Sequence, residues 1–235
     1  MEKSSAGMAA IVTAVVALLV GGGVGYVIGN SSDDMSENTS TSQQSGSSDV
    51  SMMGGVDSPA ADLRVGLNNA LREHVDLAGV ALRNVYTEAP DLEGSVAALD
   101  ENSVEVAGLV GSVYGEDAQN SFLDLWRQHI GFFVNYTEGA REKDQAKMDQ
   151  AKEDLAGYGE AASNFFANAN PNLPKDAVMP LLEEHRDLVL ETVNLMGEGD
   201  FKAAYAKLNE AADQAGSGIA DNLAKGIAAQ YPDKF

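Results

Sequence analysis

The chain has 235 residues, enough for one or two domains, and 44% of them are hydrophobic, which allows a packed core. It carries 36 acidic residues against 15 Lys and Arg, a formal net charge of -21, which excludes a basic surface for nucleic-acid phosphates or anionic lipid headgroups. Because the sequence contains no cysteine, disulfides, thiolate zinc sites, iron–sulfur clusters and cysteine nucleophiles are also excluded.

The first predicted element is an uncharged run at residues 8–28, which reads MAAIVTAVVALLVGGGVGYVI. At about 1.5 Å per residue, a helix of this length covers the roughly 30 Å core of a bilayer, so we expect a membrane anchor at 1–29. The run is longer than the apolar part of a typical cleavable signal peptide, which favours an uncleaved anchor. Lys3 precedes the span, and Asp33 and Asp34 follow it. The positive-inside rule therefore predicts a single-pass membrane protein with a cytoplasmic N-terminus and an extracytoplasmic body.

Three glycines of the anchor, Gly21, Gly25 and Gly29, are spaced four residues apart. On a membrane helix, this spacing of small residues lets two helices approach closely. Two interpretations are open: a homodimer that packs through the membrane helix, or the ordinary abundance of glycine in membrane helices.

A polar segment at residues 30–58 follows the anchor and is rich in Ser, Asp, Asn, Thr, Gln and Gly. It shows no apolar periodicity and cannot bury a core, so we expect a disordered linker. A flexible coil of this length spans on the order of 30 Å. The sequence therefore predicts a body that is tethered to the bilayer by a flexible connection.

From residue 59 onward, apolar residues recur at helical spacing, and no sustained strand-like alternation interrupts them. Breakers such as Pro90, Gly115 and Pro174 divide this body into six segments. Because short connections make successive helices antiparallel neighbours, we expect an all-α, six-helix bundle domain at 59–235. The expected helices are about 60–88, 92–112, 116–141, 143–168, 175–198 and 200–230.

The three histidines of the chain, His74, His129 and His185, fall at nearly equal intervals. The interval from the first to the second differs by a single position from the interval between the second and the third. Each histidine follows a large apolar residue at position -3 and a Glu or Gln at position -1. This regularity indicates an internal repeat with one histidine in each copy.

Each histidine helix is followed by a turn at an aspartate and then by an Ala-rich helix. The three aspartates are Asp91, Asp144 and Asp200. We infer that the bundle is built from three αα-hairpin repeats. Their expected bounds are about 60–112, 116–168 and 175–230.

Each histidine lies on the apolar face of its helix, where a buried imidazole needs a hydrogen-bond partner or a metal. If the three odd-numbered helices run parallel, His74, His129 and His185 lie at similar height and could converge on copper or zinc. In an up-down bundle, however, odd-numbered helices are diagonal neighbours or further apart. That geometry favours private hydrogen bonds within each hairpin, so we expect structural histidines without a cofactor and keep the metal site as the alternative.

Motifs of known enzymes are absent from the sequence. The Glu-x-x-His pattern of di-iron bundles fails, because Leu71, Trp126 and Leu182 stand three residues before the histidines. No HExxH, G-x-S-x-G, P-loop or dinucleotide-binding pattern occurs. We therefore expect a protein that is not an enzyme.

Five stretches of the body, including LWRQHIGFFVNY at 125–136, carry a family resemblance. They resemble a poorly characterised family of bacterial extracytoplasmic all-helical domains, some of which are named through an attached copper amine oxidase N-terminal-like domain. The resemblance covers nearly the whole body and implies its fold and location. Similar domains have a further His-Met pair in the last helix, where this chain has Gln214 and Ala215, so a four-histidine site is incomplete here. The remaining stretches are 71–77, 111–117, 169–173 and 229–235.

These features favour a membrane-anchored extracytoplasmic binding or scaffold domain without catalytic activity, with an unidentified protein or envelope component as its partner. The first alternative is a metal-handling protein that uses the three histidines to bind copper or zinc. The second is a ligand-sensing domain that acts through another protein. Imidazole nitrogens within about 4 Å of one another would favour the metal, and separations beyond roughly 8 Å would exclude a mononuclear site.

Overall fold

The computed structural model describes residues 57–235. The predicted membrane span at 8–28, the glycines Gly21, Gly25 and Gly29, and the linker up to residue 56 lie outside the described residues. Within residues 57–235 the chain is an all-helical bundle of six helices and contains no strand. None of these helices combines the length and the apolar composition needed to cross a membrane.

The six expected helices are all present, and each begins and ends within two residues of its expected position. The sixth helix, α6, is α-helical over Phe201–Asp213, π-helical over Gln214–Ala220 and α-helical again over Asp221–Gln230. The sequence analysis did not predict this π-helical segment, because apolar periodicity does not reveal one added residue in a turn. The other helices are α1 (Pro59–Thr87), α2 (Leu92–Tyr114), α3 (Glu116–Glu142), α4 (Gln145–Ala169) and α5 (Lys175–Glu198).

Short polar side chains begin three of the helices. Ser58, Asp144 and Asp200 each accept the backbone N–H of the residue three positions later, at 3.2, 3.1 and 3.0 Å. Such caps satisfy amide groups that have no partner within the first turn of a helix. Asp91 precedes α2 without a side-chain capping bond. Two of the three aspartates at the predicted hairpin turns therefore act as N-caps.

The helices that carry the histidines meet one another directly. α1 packs against α2, α3, α5 and α6, and α3 packs against α4 and α5. Buried Val75 of α1, Val134 of α3 and Val189 of α5 line one small void between these three helices. The structure thus differs from the expected up-down arrangement, in which even-numbered helices keep the odd-numbered ones apart. The central position of α1 is the reason for the difference.

Two glycines allow α6 to lie close to α1. A Cβ at Gly79 of α1 would lie 2.3 Å from the side chain of Leu208. A Cβ at Gly216 in the π-helical segment would lie 2.8 Å from the Oδ1 atom of Asn68. Both distances are shorter than any side chain tolerates without a shift of its neighbour. The close approach brings Gln214, the first residue of the π-helical segment, against the core beside α5.

Candidate functional site

The three histidines lie on the inner faces of α1, α3 and α5. His74 and His129 are buried, with 4% and 3% of their surface exposed, and His185 is half-buried. On α1, the buried residues Leu67, Leu71 and His74 follow steps of four and three, so they share one face of the helix. The helical periodicity of the sequence therefore positions the first imidazole inside the bundle.

Two histidines pack in one aromatic group with Trp126 and Tyr158. The ring centres of His74 and His129 are 5.5 Å apart, and the indole of Trp126 lies 4.6 Å from each of them. The phenol of Tyr158, from α4, stacks on His129 with ring centres 4.6 Å apart. We call His74, His129, His185, Trp126 and Tyr158 the histidine cluster. Its members come from all three predicted hairpins.

All five members of the histidine cluster line one cavity of about 50 Å³. A single water needs roughly 10–15 Å³ of such space, so the cavity has room for an ion or a few waters. The rest of the wall is largely apolar, with Phe122, Phe133 and Phe166 as its large side chains. A second void of about 20 Å³ is also lined by the three histidines. The imidazoles are thus the main polar groups that face this space.

The cavity extends towards the surface of α5. Exposed Glu183 and half-buried Arg186 are part of its wall. A groove of about 230 Å³ lies beside it, between the start of α5 and the second half of α6. The cavity and the groove share four lining residues, which are Phe166, Leu182, Ile219 and Leu223. Movement of these side chains would connect the histidines to the solvent.

The histidine cluster concentrates buried polar atoms that have no hydrogen-bond partner. The Nδ1 atoms of His74, His129 and His185 are unpartnered, as is the Nε1 atom of Trp126. In proteins, more than nine in ten buried polar groups are paired. A buried donor or acceptor without a partner costs about 1–3 kcal/mol, so this arrangement destabilises the fold unless something else interacts with the imidazoles.

Burial keeps the imidazoles neutral. It lowers the pKa of His74 from 6.5 to about 3 and that of His185 to about 4. The pKa of His129 also falls well below its ordinary value, first because of burial and then because of the charges that His74 and His185 would carry. The pKa of the Tyr158 phenol rises for the same reason of burial. At neutral pH the cavity therefore presents uncharged nitrogen atoms with free electron pairs.

Two buried side-chain amides bond in the same way to the helical turn that precedes the first and the third histidine. Asn102 of α2 donates through Nδ2 to the carbonyl of Ala70 at 3.0 Å. Gln214 donates through Nε2 to the carbonyl of Leu181 at 2.8 Å. Each carbonyl belongs to the residue four positions before a histidine, His74 or His185, and each amide oxygen is left without a partner.

The structure brings together all three histidines that the sequence indicated, in one cavity. Their Nδ1 atoms make no hydrogen bond of the usual distance and angle, so the private bonds expected within each hairpin stay a prediction. Within residues 57–235, no group of three or more His, Asp or Glu side chains has an arrangement that could hold a metal ion directly. Binding of an ion would therefore require a shift of these side chains.

Asn102 and Tyr158 were not predicted from the sequence, and Gln214 stood out only as a departure from a family pattern. A signal for them exists in the repeat. Asn102 follows His74 at nearly the same distance along the chain as Gln214 follows His185, and the two intervals differ by a single position. Tyr158 follows His129 at the same distance as Gln214 follows His185. One position of each second helix therefore contacts the histidine of its own hairpin.

Comparison of the chain with protein-family models, with curated proteins and with solved structures gave no match in any of the three. The resemblance to extracytoplasmic helical domains therefore stays a prediction.

Proposed function

We propose that the chain is a membrane-anchored, extracytoplasmic binding protein without catalytic activity, whose helical bundle holds one transition-metal ion, copper or zinc, in the histidine cavity. The observation that carries the proposal is the convergence of the only three histidines, one from each predicted hairpin, on one cavity. Imidazole is a common protein ligand of both metals. The predicted anchor at 8–28 and the polar linker support the location outside the membrane.

The distance between the first two histidines fits a shared ion. With metal–nitrogen bonds of about 2.0–2.1 Å, two imidazoles on one metal have ring centres about 5 to 6.5 Å apart. The ring centres of His74 and His129 are 5.5 Å apart. The two rings are thus close enough to share one ion. His185, which lines the same cavity, would complete the site.

The charge of the cavity favours Cu(I) over Zn(II). The charged side chains of its wall, Glu183 and Arg186, have opposite signs, and both belong to the α5 side. The cost of placing an ion in an apolar site rises with the square of its charge, and no buried carboxylate of the wall offsets a second positive charge. Cu(I) also accepts two or three neutral nitrogen ligands without an added anion. The cavity is thus better suited to the monovalent ion.

Metal analysis of the full chain tests the proposal. The protein should be purified in detergent without a histidine tag, loaded separately with Cu(I) under reducing conditions and with Zn(II), and then desalted. We expect wild-type protein to retain copper in stoichiometric amount and His129→Leu to retain almost none. Asn84→Leu is the matched control, because Asn84 is also buried, donates to Ser95 instead, and does not line the cavity. This control should retain copper like the wild type.

Fluorescence gives an independent signal. Trp126 is the only tryptophan of the chain, and its indole lies 4.6 Å from two of the three histidines. Copper that is bound to these two histidines should therefore quench the emission of Trp126 in the wild type and in Asn84→Leu. Equal, near-zero copper and zinc in wild-type and His129→Leu protein would refute the metal site. A binding or scaffold role towards a protein or envelope partner would then be the remaining proposal.

A further inference from the structure

An oxygen atom lies about one helical turn before each imidazole of the histidine cluster. Asn102 and Gln214 supply it as an unpartnered amide oxygen for the first and third rings, and Trp126 supplies it as a backbone carbonyl for the second. We propose that these oxygens accept the Nδ1–H of His74, His129 and His185, so that all three rings present the Nε2 electron pair to the cavity. Asn102 and Gln214 then act as positioning residues, each on one histidine. The identity of the ligand rests on the proposed function, but the protonation pattern is a property of the metal-free protein.

The pairing for His74 involves two atoms that both lack a partner. The Nδ1 atom of His74 and the Oδ1 atom of Asn102 are buried and unpartnered. Asn102 is 4% exposed, and its Nδ2 is fixed by the 3.0 Å bond to the carbonyl of Ala70. In an α-helix this carbonyl also receives the backbone N–H of His74, which places the amide at the level of that ring. Asn102 raises the pKa of His74 against the effect of burial, as an oxygen beside a ring N–H does.

The pairing for His185 repeats this arrangement. The Nδ1 atom of His185 and the Oε1 atom of Gln214 are buried and unpartnered. The Nε2 of Gln214 is fixed by the 2.8 Å bond to the carbonyl of Leu181, four residues before the histidine. Gln214 raises the pKa of His185 against burial. The π-helical segment has a structural role here, because it begins at Gln214, and such segments are frequent at functional sites.

The second histidine uses its own helix. The backbone carbonyl of Trp126, three residues earlier on α3, raises the pKa of His129 against burial. At the matching position of α4 stands Tyr158, which stacks on His129 instead of offering an oxygen. A ring that is oriented by its own backbone needs no amide from the neighbouring helix. The three histidines therefore obtain the same tautomer by two routes.

The amides lie behind the rings and not in the cavity. Neither Asn102 nor Gln214 is among the residues that line it, whereas all three histidines are. A ring that donates through Nδ1 to an amide directs the opposite nitrogen, Nε2, away from it. Three Nε2 electron pairs around one small space attract an electron-pair acceptor and repel anions. This favours a metal cation over a carboxylate or phosphate as the ligand, and metal-bound histidines commonly have such an outer hydrogen bond.

The tautomers can be read directly from the metal-free protein. The full chain should be labelled with ¹⁵N-histidine, purified in detergent without a histidine tag, and examined by long-range ¹H–¹⁵N correlation at pH 7.5. Because the chain contains three histidines, each ring gives one resolvable pattern. We expect a protonated-type shift at Nδ1 and an unprotonated-type shift at Nε2 for all three. Protonated Nε2 in any of the three histidines would overturn the proposal, whether or not the protein binds metal.

Variants of the two amides distinguish an effect on the orientation of the histidine rings from a general loss of fold stability. Asn102→Leu and Gln214→Leu should each give a mixture of tautomers in one ring, His74 or His185 respectively, and leave the other two unchanged. If metal binds, each variant should weaken Cu(I) affinity about 10- to 100-fold, the usual effect of removing an outer partner. Gln214→Glu keeps an oxygen at the site and should retain the Nδ1–H pattern of His185.

Asn84→Leu serves as the control, since it removes a buried amide of α1 that donates to Ser95. It should leave all three tautomers and the Cu(I) affinity unchanged even where it lowers stability. An unchanged tautomer in both Asn102→Leu and Gln214→Leu would show that these amides do not position the rings. If the wild-type protein shows the expected tautomers but binds no metal, the proposed function is refuted and the proposed protonation pattern still holds.

Discussion

The bundle contains two groups of polar side chains that differ in how completely they are hydrogen-bonded. The first is the histidine cluster, whose three Nδ1 atoms and Trp126 Nε1 lack partners. The second lies near the ends of α2, α4 and α6 and consists of Tyr114, Asn170 and Gln230, which we call the amide cluster. In the amide cluster every polar side-chain atom is hydrogen-bonded.

The bonds of the amide cluster form a continuous chain. Asn170 donates to the hydroxyl of Tyr114 at 3.0 Å, and that hydroxyl donates to Gln230 Oε1 at 3.2 Å. The amide of Gln230 donates to the carbonyl of Ala169 at 2.8 Å, and Asn170 Oδ1 accepts the N–H of Asn172 at 2.8 Å. These bonds join helix ends and stabilise the fold. In the histidine cluster, by contrast, no bond of the usual distance and angle reaches the three Nδ1 atoms or Trp126 Nε1.

The largest expected difference between the two clusters is in how acid changes their contribution to the free energy of unfolding. The pKa values of His74 and His185 are about 3 and 4 in the fold, against 6.5 in the unfolded chain. Below pH 6.5 the unfolded chain therefore binds protons that the folded chain does not bind. As the pH falls, the free energy of unfolding decreases by about 1.4 kcal/mol per pH unit for each histidine. Above about pH 7.5 both states are neutral and the histidines contribute no pH dependence. Between pH 6.5 and 4.5 we expect a loss of about 5 kcal/mol from these two residues.

Urea unfolding of the full chain in detergent, followed by helical circular dichroism at several pH values, measures this loss. The double variant His74→Leu, His185→Leu is the control, because it retains every carboxylate that titrates in the same range. The difference in unfolding free energy between wild type and double variant should change by about 5 kcal/mol in favour of the variant as the pH falls to 4.5. Parallel pH profiles would mean that the imidazoles take up protons within the fold, and the cluster would not be dry.

Breaking the amide cluster should produce the next largest effect. Asn170 is fully buried, and Asn170→Leu leaves the Tyr114 hydroxyl and the N–H of Asn172 without their partner. We expect the free energy of unfolding to fall by about 2–4 kcal/mol at pH 7.5. Tyr114→Phe removes one hydroxyl from the same chain and should cost less. Urea titration of both variants checks the order, and an Asn170→Leu protein as stable as wild type would remove the contrast between the clusters.

The sequence predicted the helices well because local signals determine them. Breakers at Pro90, Gly115 and Pro174 separate apolar runs, and Asp144 and Asp200 cap the helices that follow. The inward faces of the histidines also follow from periodicity alone, because helical geometry is independent of tertiary contacts. These features need no knowledge of how the helices are arranged in space.

The convergence of the histidines could not be predicted in this way. It depends on the central position of α1, which in turn depends on close contacts such as those of Gly79 and Gly216 with neighbouring side chains. Glycines at such contacts resemble any other helical glycine in a sequence. Asn102 and Gln214 were missed for a related reason, since a single amide in a helix carries no motif, and only its distance from a histidine in the repeat distinguishes it.

The smallest expected effect gives the sharpest test of the comparison. His129→Leu makes the same kind of change as Asn170→Leu, an apolar side chain in place of a buried polar one. The proposed bond of His129 runs from Nδ1 to the Trp126 carbonyl, which keeps its helical N–H when the ring is removed. The substitution therefore also removes the cost of burying the imidazole. We expect the free energy of unfolding of metal-free His129→Leu at pH 7.5 to lie within about 1 kcal/mol of the wild-type value, or slightly above it.

Urea titration followed by circular dichroism measures the difference, with the chelated wild type as reference. A loss above about 2 kcal/mol would mean that His129 stabilises the fold through a strong bond of its own, as Asn170 does. A neutral or stabilising result, together with the loss of copper from the same variant, would show that the chain retains a costly residue because it binds the ligand.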